Sequence, residues 1–306
     1  AGATGATVNL DIKAGTGTAD TATVNVTSVA GVTTILADAS DTLEHLIVNV
    51  GTLSAIQTID LNGADFDTSL TVTGGSAGQT LDLNANAITS DTVNASGVVS
   101  DILFLFGADT ITATGGSGDD EFDFAATYTS ADNVTGGDGT DTLVLAPATS
   151  LASTGTVSGI EKIELAASAS VSIAGAAISG VTEIALSNAA GLDGQVVTLQ
   201  SLAGVATISH SVANAAAADG ADDANGITIT NGFTGTADSL TVSIDNATTN
   251  PGATVMGALS LAGLENITID VTGGSDDDVS TIGGITATSL STVTVTSSGD
   301  GFDEDA

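Results

Sequence analysis

Segments such as TATVNVTSV, TSLTVTGG, QTLDLNA, EKIELAA, GITITNG, DSLTVSID, ENITIDV and STVTVTSS recur along this 306-residue chain. Each alternates apolar and small polar residues over a few positions and then stops at Gly, Asn, Asp or Ser. Alternation with period two marks a half-buried strand, and stops of that composition are turns. No stretch carries convincing helical periodicity with caps, and the Ala-rich run 211–226 reads as a loop or a single helical turn. Many short strands with frequent turns narrow the fold to an all-β solenoid, sandwich or barrel.

Internal similarity separates these options. GTADTATVNV at Gly17–Val26 is echoed by GTADSLTVSI at Gly235–Ile244, and GGDGTDTLVL at Gly136–Leu145 is a looser copy. Each is followed, 20 to 27 residues after its Asp, by a second signature: TLEHLIV with Glu44, GIEKIEL with Glu161 and GLENITI with Glu265. A chain that repeats turn, short strand, turn, short strand builds stacked coils, each burying its inward residues against its neighbours. The expected fold is therefore a parallel β-solenoid or β-roll with irregular coils, with β-sandwich modules as the alternative. The expected regions are a degenerate strand region over 1–100, a glycine- and Asp-rich roll over 101–150, a solenoid region over 151–225 and a second repeat region over 226–306.

Charge decides which partners such a fold can take. Asp and Glu number 37 against two lysines and no arginine, a formal net charge of -35. Phosphate backbones need clustered cations, and an anionic bilayer would repel this chain, so nucleic acid and direct membrane insertion are not expected. No run approaches the ~18 apolar residues that would span a bilayer. Hydrophobic residues at 42% argue for a folded chain rather than an acidic disordered tail. The first residue is not Met, which suggests a processed product or a fragment. The absence of cysteine suggests either a reducing compartment or another crosslink, and bound cations are the obvious other crosslink.

GGSGDDEFD at Gly115–Asp123 and GGDGTDTLV at Gly136–Val144 both fit the nonapeptide G-G-x-G-x-D-x-U-x. TYTSADNVT keeps Asp132 and Val134 in the sixth and eighth places, and LFGADTIT keeps Gly107, Asp109 and Ile111 in the same relation. Asp109, Asp120, Asp132 and Asp141 are thus spaced 11, 12 and 9 residues apart. If two nonapeptides make one coil, Asp109 lies over Asp132 on one edge and Asp120 over Asp141 on the other, while Ile111, Phe122, Val134 and Leu143 point inward. Turn carbonyls and carboxylates then present hard oxygen donors, which select Ca²⁺ over zinc or copper. The candidate ligands are Asp109, Asp120, Asp132 and Asp141 with Gly115, Ser117, Asp119, Gly136 and Asp138 of the same turns. Asp20, Asp238, Asp276 and Asp278 are further candidates in looser copies. GGSAGQTLD at Gly74 has Gln79 in place of the Asp and lacks that carboxylate.

These residues resemble the RTX family of calcium-binding repeat proteins. The order of elements, degenerate Thr- and Ala-rich strands around a short nonapeptide block, is similar to that of calcium-dependent surface-layer proteins exported by type I secretion. The resemblance implies a secreted chain that folds outside the cell in calcium and assembles with copies of itself into an array at the cell surface. A cell-surface glycan is the other partner to be expected. An RTX adhesin stalk and the non-catalytic region of a secreted enzyme are the alternatives. Enzymatic activity is not expected, because His45 and His210 lie in strand-like segments with no nucleophile pattern or H-E-x-x-H beside them.

Overall fold

The computed structural model describes residues 6–10, 19–27, 31–37, 43–61, 66–145, 155–165, 171–174, 178–187, 196–200, 207–211, 225–230, 238–246, 254–273, 280–282 and 284–298. All regular structure among them is β-strand, and every strand pairing described is parallel. The chain is therefore a parallel β-solenoid, as the period-two segments and short turns predict, and not a sandwich of antiparallel modules. It divides into two compact units, one formed by Ala1–Val144 with Gly155–Ile160 and the other by Leu145–Thr154 with Glu161–Ala306.

In the first unit the strands are β1 (Ala6–Leu10), β2 (Thr21–Val26), β3 (Gly31–Ala37), β4 (Leu43–Val50), β5 (Gln57–Asp60), β6 (Phe66–Gly74), β7 (Thr80–Ile88), β8 (Thr92–Val98), β9 (Asp101–Phe106), β10 (Thr112–Thr114), β11 (Glu121–Asp123), β12 (Asn133–Thr135), β13 (Thr142–Leu145) and β14 (Val157–Ser158). Odd-numbered strands stack in order in one sheet and even-numbered strands in the other. Each coil thus gives one strand to each sheet, and its inward residues meet those of the coils above and below. Alternation in sequence becomes alternation in burial: Val24, Val26, Leu46, Val48, Leu70 and Val72 are buried, while the residues between them face outward.

Coil length is not constant. Hydrogen-bonded neighbours on successive coils are 24 residues apart at Asn25, Asn49 and Thr73. They are only 18 apart between Ile102 and Asp120, 21 apart between Asp120 and Asp141, and 23 apart between Thr135 and Ser158. The tightest coil is two nonapeptides long, because strands of three residues and turns of Gly and Asp leave nothing to loop out. The bulkiest core lies here. Phe104, Phe106, Phe122 and Phe124 stack with ring centroids 4.5–6.4 Å apart, and Tyr128 meets Phe124 edge-on at 5.0 Å. Offset aromatic stacks of this kind stabilise beyond their buried area.

The second unit repeats the scheme with coils of more varied length. Lys162–Leu165, Glu183–Ser187, Thr207–Ser211, Ser239–Asn246, Asn266–Gly273 and Thr292–Ser298 form one parallel sheet. Val171–Ala174, Val196–Gln200, Asn225–Thr230, Thr254–Leu261 and Ser280–Ile282 form the other, with Ile285–Thr286 also beside Thr254–Leu261. Paired residues here are 21 apart at Lys162 and Glu183, 34 apart at Thr207 and Thr241 and 27 apart at Ser239 and Asn266. Of the run 211–226 read as a loop, 212–224 lies outside the described residues, and Asn225 and Gly226 begin a strand.

Candidate functional site

The two nonapeptide turns connect strands of opposite sheets. Gly115–Asp120 leads from β10 into β11, and Gly136–Asp141 leads from β12 into β13. Because Phe122 pairs with Leu143 and Glu121 with Thr142, Asp120 falls beside Asp141, the stacking that the spacing predicts. Both carboxylates are buried. Asp141 Oδ1 accepts the Asp120 N–H at 2.8 Å, and Asp120 Oδ1 accepts the Ile102 N–H at 2.9 Å. Asp120 Oδ2 turns back to accept the Gly116 N–H at 2.6 Å. Each carboxylate therefore closes a backbone donor of the preceding coil, and that of Asp120 also holds its own turn.

Glycine is required by close approach as well as by conformation. A Cβ on Gly115 would strike the Gly136 carbonyl and Asp120 Oδ2, and one on Gly136 would strike the Gly159 carbonyl and Asp141 Oδ2. Gly137 and Gly139 have φ of 126° and 124°, with the Gly116 and Gly118 carbonyls against them. In each turn a carboxylate oxygen and a carbonyl of the next coil converge on one glycine.

Burial pushes the Asp120 carboxyl up to about 7; the Gly116 N–H opposes this, the nearby Asp141 adds to it, the Ile102 N–H opposes it and Asp101 adds to it. Gly115, Gly116 and Gly136 are buried with them, whereas the tips of the turns are open to solvent. Ser117, Asp119 and Asp138 are exposed. Asp119 donates its N–H to Asp101 Oδ1 at 3.0 Å and accepts the Thr140 N–H on its own Oδ1 at 2.7 Å, so a second, outer carboxylate ladder runs beside the buried one. Asp101 was not among the sequence candidates. The clue to it is its offset of 18 residues from Asp119, one coil of two nonapeptides.

The opposite edge departs from expectation. Thr112, Ala113 and Thr114 pair with Asn133, Val134 and Thr135, so Asp132 lies beside Ile111 and not beside Asp109. Asp132 Oδ1 accepts the Ile111 N–H at 2.7 Å, and its Oδ2 accepts the N–H and hydroxyl of Thr129 at 2.6 and 3.0 Å. Asp109 is exposed in the bend between β9 and β10. The reason is that Ile111 and Ala113 are both buried: the coil here is 21 residues, whereas Asp109 and Asp132 are 23 apart, and Ala113 takes the place opposite Val134. Asp132 nonetheless caps its turn as Asp120 and Asp141 cap theirs. It also acts with burial, the larger cause, to push the Tyr128 hydroxyl well above the usual tyrosine range.

The paired Asp and Glu signatures acquire a meaning. Glu44 Oε2 accepts the Asp20 N–H at 2.8 Å, and Glu265 Oε2 accepts the Asp238 N–H at 3.0 Å. Their spacings of 24 and 27 residues are coil lengths, and the Glu does for the longer coils what Asp141 does for Asp120. At Gly74 the missing carboxylate is replaced by hydroxyls. Ser76 Oγ accepts the Leu53 N–H at 2.8 Å, Ser100 Oγ accepts the Ser76 N–H at 2.7 Å, and the Ser100 hydroxyl donates to the Ser76 carbonyl at 2.9 Å. Asp276 and Asp278 lie outside the described residues, as does the side chain of His210. His45 Nδ1 meets Ser69 Oγ at 2.8 Å on a half-buried strand.

Among the described residues the ion pair present is Lys162 with Glu164, 3.5 Å apart. No three His, Cys, Asp or Glu side chains among them gather closely enough to hold a metal by side chains alone. An ion in these turns would need carbonyl oxygens beside at most two carboxylates. The donor chemistry fits that requirement: a carboxylate has about four acceptor positions, and the N–H donors on Asp120 occupy two. Comparison of the chain with protein families, curated proteins and solved structures finds no match.

Proposed function

We propose that this chain is a calcium-dependent structural protein of the bacterial cell surface that assembles with copies of itself into an extracellular array, after export by type I secretion. The observation that carries the reading is the stacking of buried Asp120 against buried Asp141 in glycine turns of a chain with 37 acidic residues and two basic ones. A carboxyl held near 7 at neutral pH favours either a proton or a cation, and carboxylate and carbonyl oxygens are the donors that Ca²⁺ prefers. Asp120 and Asp141, with the carbonyls of Gly116, Gly118 and Gly136, are the residues that would hold it, and Asp132 would serve a separate ion on the opposite edge. Bound Ca²⁺ would supply positive charge between like-charged coils. The chain's own residues set the coil spacing, close the backbone donors and keep the aromatic core dry. Because binding would favour the folded state over the unfolded one, ion affinity would appear directly as stability.

The test is circular dichroism and electron microscopy of the protein in calcium and in excess chelator. Calcium should raise the thermal midpoint and produce extended particles that chelator disperses. An unchanged spectrum, midpoint and particle size would remove the reading.

A further inference from the structure

The buried polar residues of the first unit change character along the chain. Thr33, Gln57, Ser90 and Ser100 are buried and neutral, whereas Asp120, Asp132 and Asp141 are buried carboxyls. Among the described residues no other carboxyl is buried, and Glu44, Asp60, Asp82 and Asp101 of the earlier coils keep contact with water. Backbone pairing changes over the same stretch. Strands β6, β7 and β8 are nine, nine and seven residues long, and β10, β11 and β12 have three residues each. The longer strands also carry a neutral side-chain ladder, in which Thr73 donates to Asn49 and Asn49 to Asn25.

In a stack of coils, stability is close to a sum over nearest neighbours, so one part can open while another stays closed. The coils up to β8 combine long strands with neutral closures and stand without a counter-ion. The coils from β10 to β13 combine short strands with like charges inside, a costly arrangement until a proton or a cation joins them. Their closure is favoured by the aromatic stack, and half of that stack belongs to the coil before them. Phe104 and Phe106 lie on β9 and meet Phe122 and Phe124 of the next coil at 5.0 and 4.5 Å. Strand β9 is thus a platform made of the earlier coils and shaped for the later ones.

We infer that calcium acts on the first unit as a local switch: without the ion β6, β7 and β8 stay folded while β11, β12 and β13 open, and with it those three close onto the aromatic platform of β9. The inference rests on the calcium reading above, and it adds where in the fold the ion acts and which coils do without it.

Backbone amide exchange of the full chain, followed by mass spectrometry at neutral pH in calcium and in excess chelator, tests this. Amides of β6, β7 and β8 should be protected equally in both. Amides of β11, β12 and β13 should exchange about 100-fold faster in chelator, the factor that an ion at ~100 times its dissociation constant imposes on opening. Loss of protection over β6, β7 and β8 in chelator, alone or together with the later strands, would overturn the local switch and leave calcium dependence standing. Protection that responds to calcium in neither set would overturn both. The platform has its own test in Phe104→Leu, which removes a ring without adding charge. The calcium concentration needed to protect β11 should rise about three- to tenfold, the worth of an aromatic pair, with β6, β7 and β8 still protected. An unchanged calcium requirement would remove β9 from the switch.

Discussion

The turn at Gly74–Gln79 and the turns at Gly115–Asp120 and Gly136–Asp141 solve one structural problem with different chemistry. Each must close a backbone N–H of the coil before it. Ser76 and Ser100 do so with hydroxyls, and the Ser100 hydroxyl returns its own proton to the Ser76 carbonyl, so the stack closes without charge. Asp120 and Asp141 do so with carboxylates, which cannot return a proton when ionised and lie one above the other. The solenoid therefore does not need acidic turns in order to stack. On the proposed function, what the carboxylates add is a dependence on something that neutralises them, a proton or a cation, which the serine turn would lack.

The sharpest way to break this contrast is to put a carboxylate into the neutral turn. Ser100 is buried, so Ser100→Asp should destabilise the chain in chelator by about 3–5 kcal/mol, the usual cost of an uncompensated buried charge. Denaturant unfolding measures it, and a loss below about 1 kcal/mol would show that the turn tolerates charge without an ion. Removing the acceptor from either stack should cost less. Ser100→Ala strands the Ser76 N–H and Asp141→Ala strands the Asp120 N–H, each for about 1–3 kcal/mol. The two should differ in their response to calcium: the ion-induced rise in midpoint should survive Ser100→Ala and shrink in Asp141→Ala. Equal calcium responses would erase the distinction between the turns.

A separate effect comes from pH. The folded Asp120 carboxyl is raised from 3.8 to about 7, so the folded state holds its proton more tightly than the unfolded state does. Its contribution is fully present below about pH 4 and is lost as pH rises to about 7. In chelator, stability should fall across that window, and Asp120→Asn should flatten the fall; a fall of the same size in the variant would assign it to other groups. The smallest effect should be that of Asp109→Asn. Asp109 is exposed and stands away from Asp132, so neither the thermal midpoint nor its calcium response should move. A lost calcium response would restore Asp109 to the site.

Much of this was legible in the sequence because the solenoid writes its geometry as spacing. Ile111, Phe122, Val134 and Leu143 were readable as inward residues, and all four are buried. The stacking of Asp120 on Asp141 followed from counting nonapeptides. Counting failed at Asp109, because two adjacent apolar positions, Ile111 and Ala113, both fit the inside and only packing chooses which of them meets Val134. Glu44 and Glu265 were visible as a recurrence, but their hydrogen bonds to Asp20 and Asp238 appear only once coil length is known. Net charge misled in one respect. It points to counter-charge from outside the chain, yet backbone N–H groups of neighbouring coils take up part of the load, and no composition count shows them.

Tyr128 is the chain's one tyrosine, and there is no tryptophan. It lies edge-on against Phe124 at the rim of the aromatic stack, 5% exposed, beside the carboxylate of Asp132. With excitation at wavelengths that phenylalanine does not absorb, the ultraviolet emission of the whole 306-residue protein therefore comes from a single point in the glycine-rich coils. The molecule carries its own unlabelled optical probe at the place where ion and fold would be coupled, so a calcium titration followed by fluorescence would watch these coils and no others.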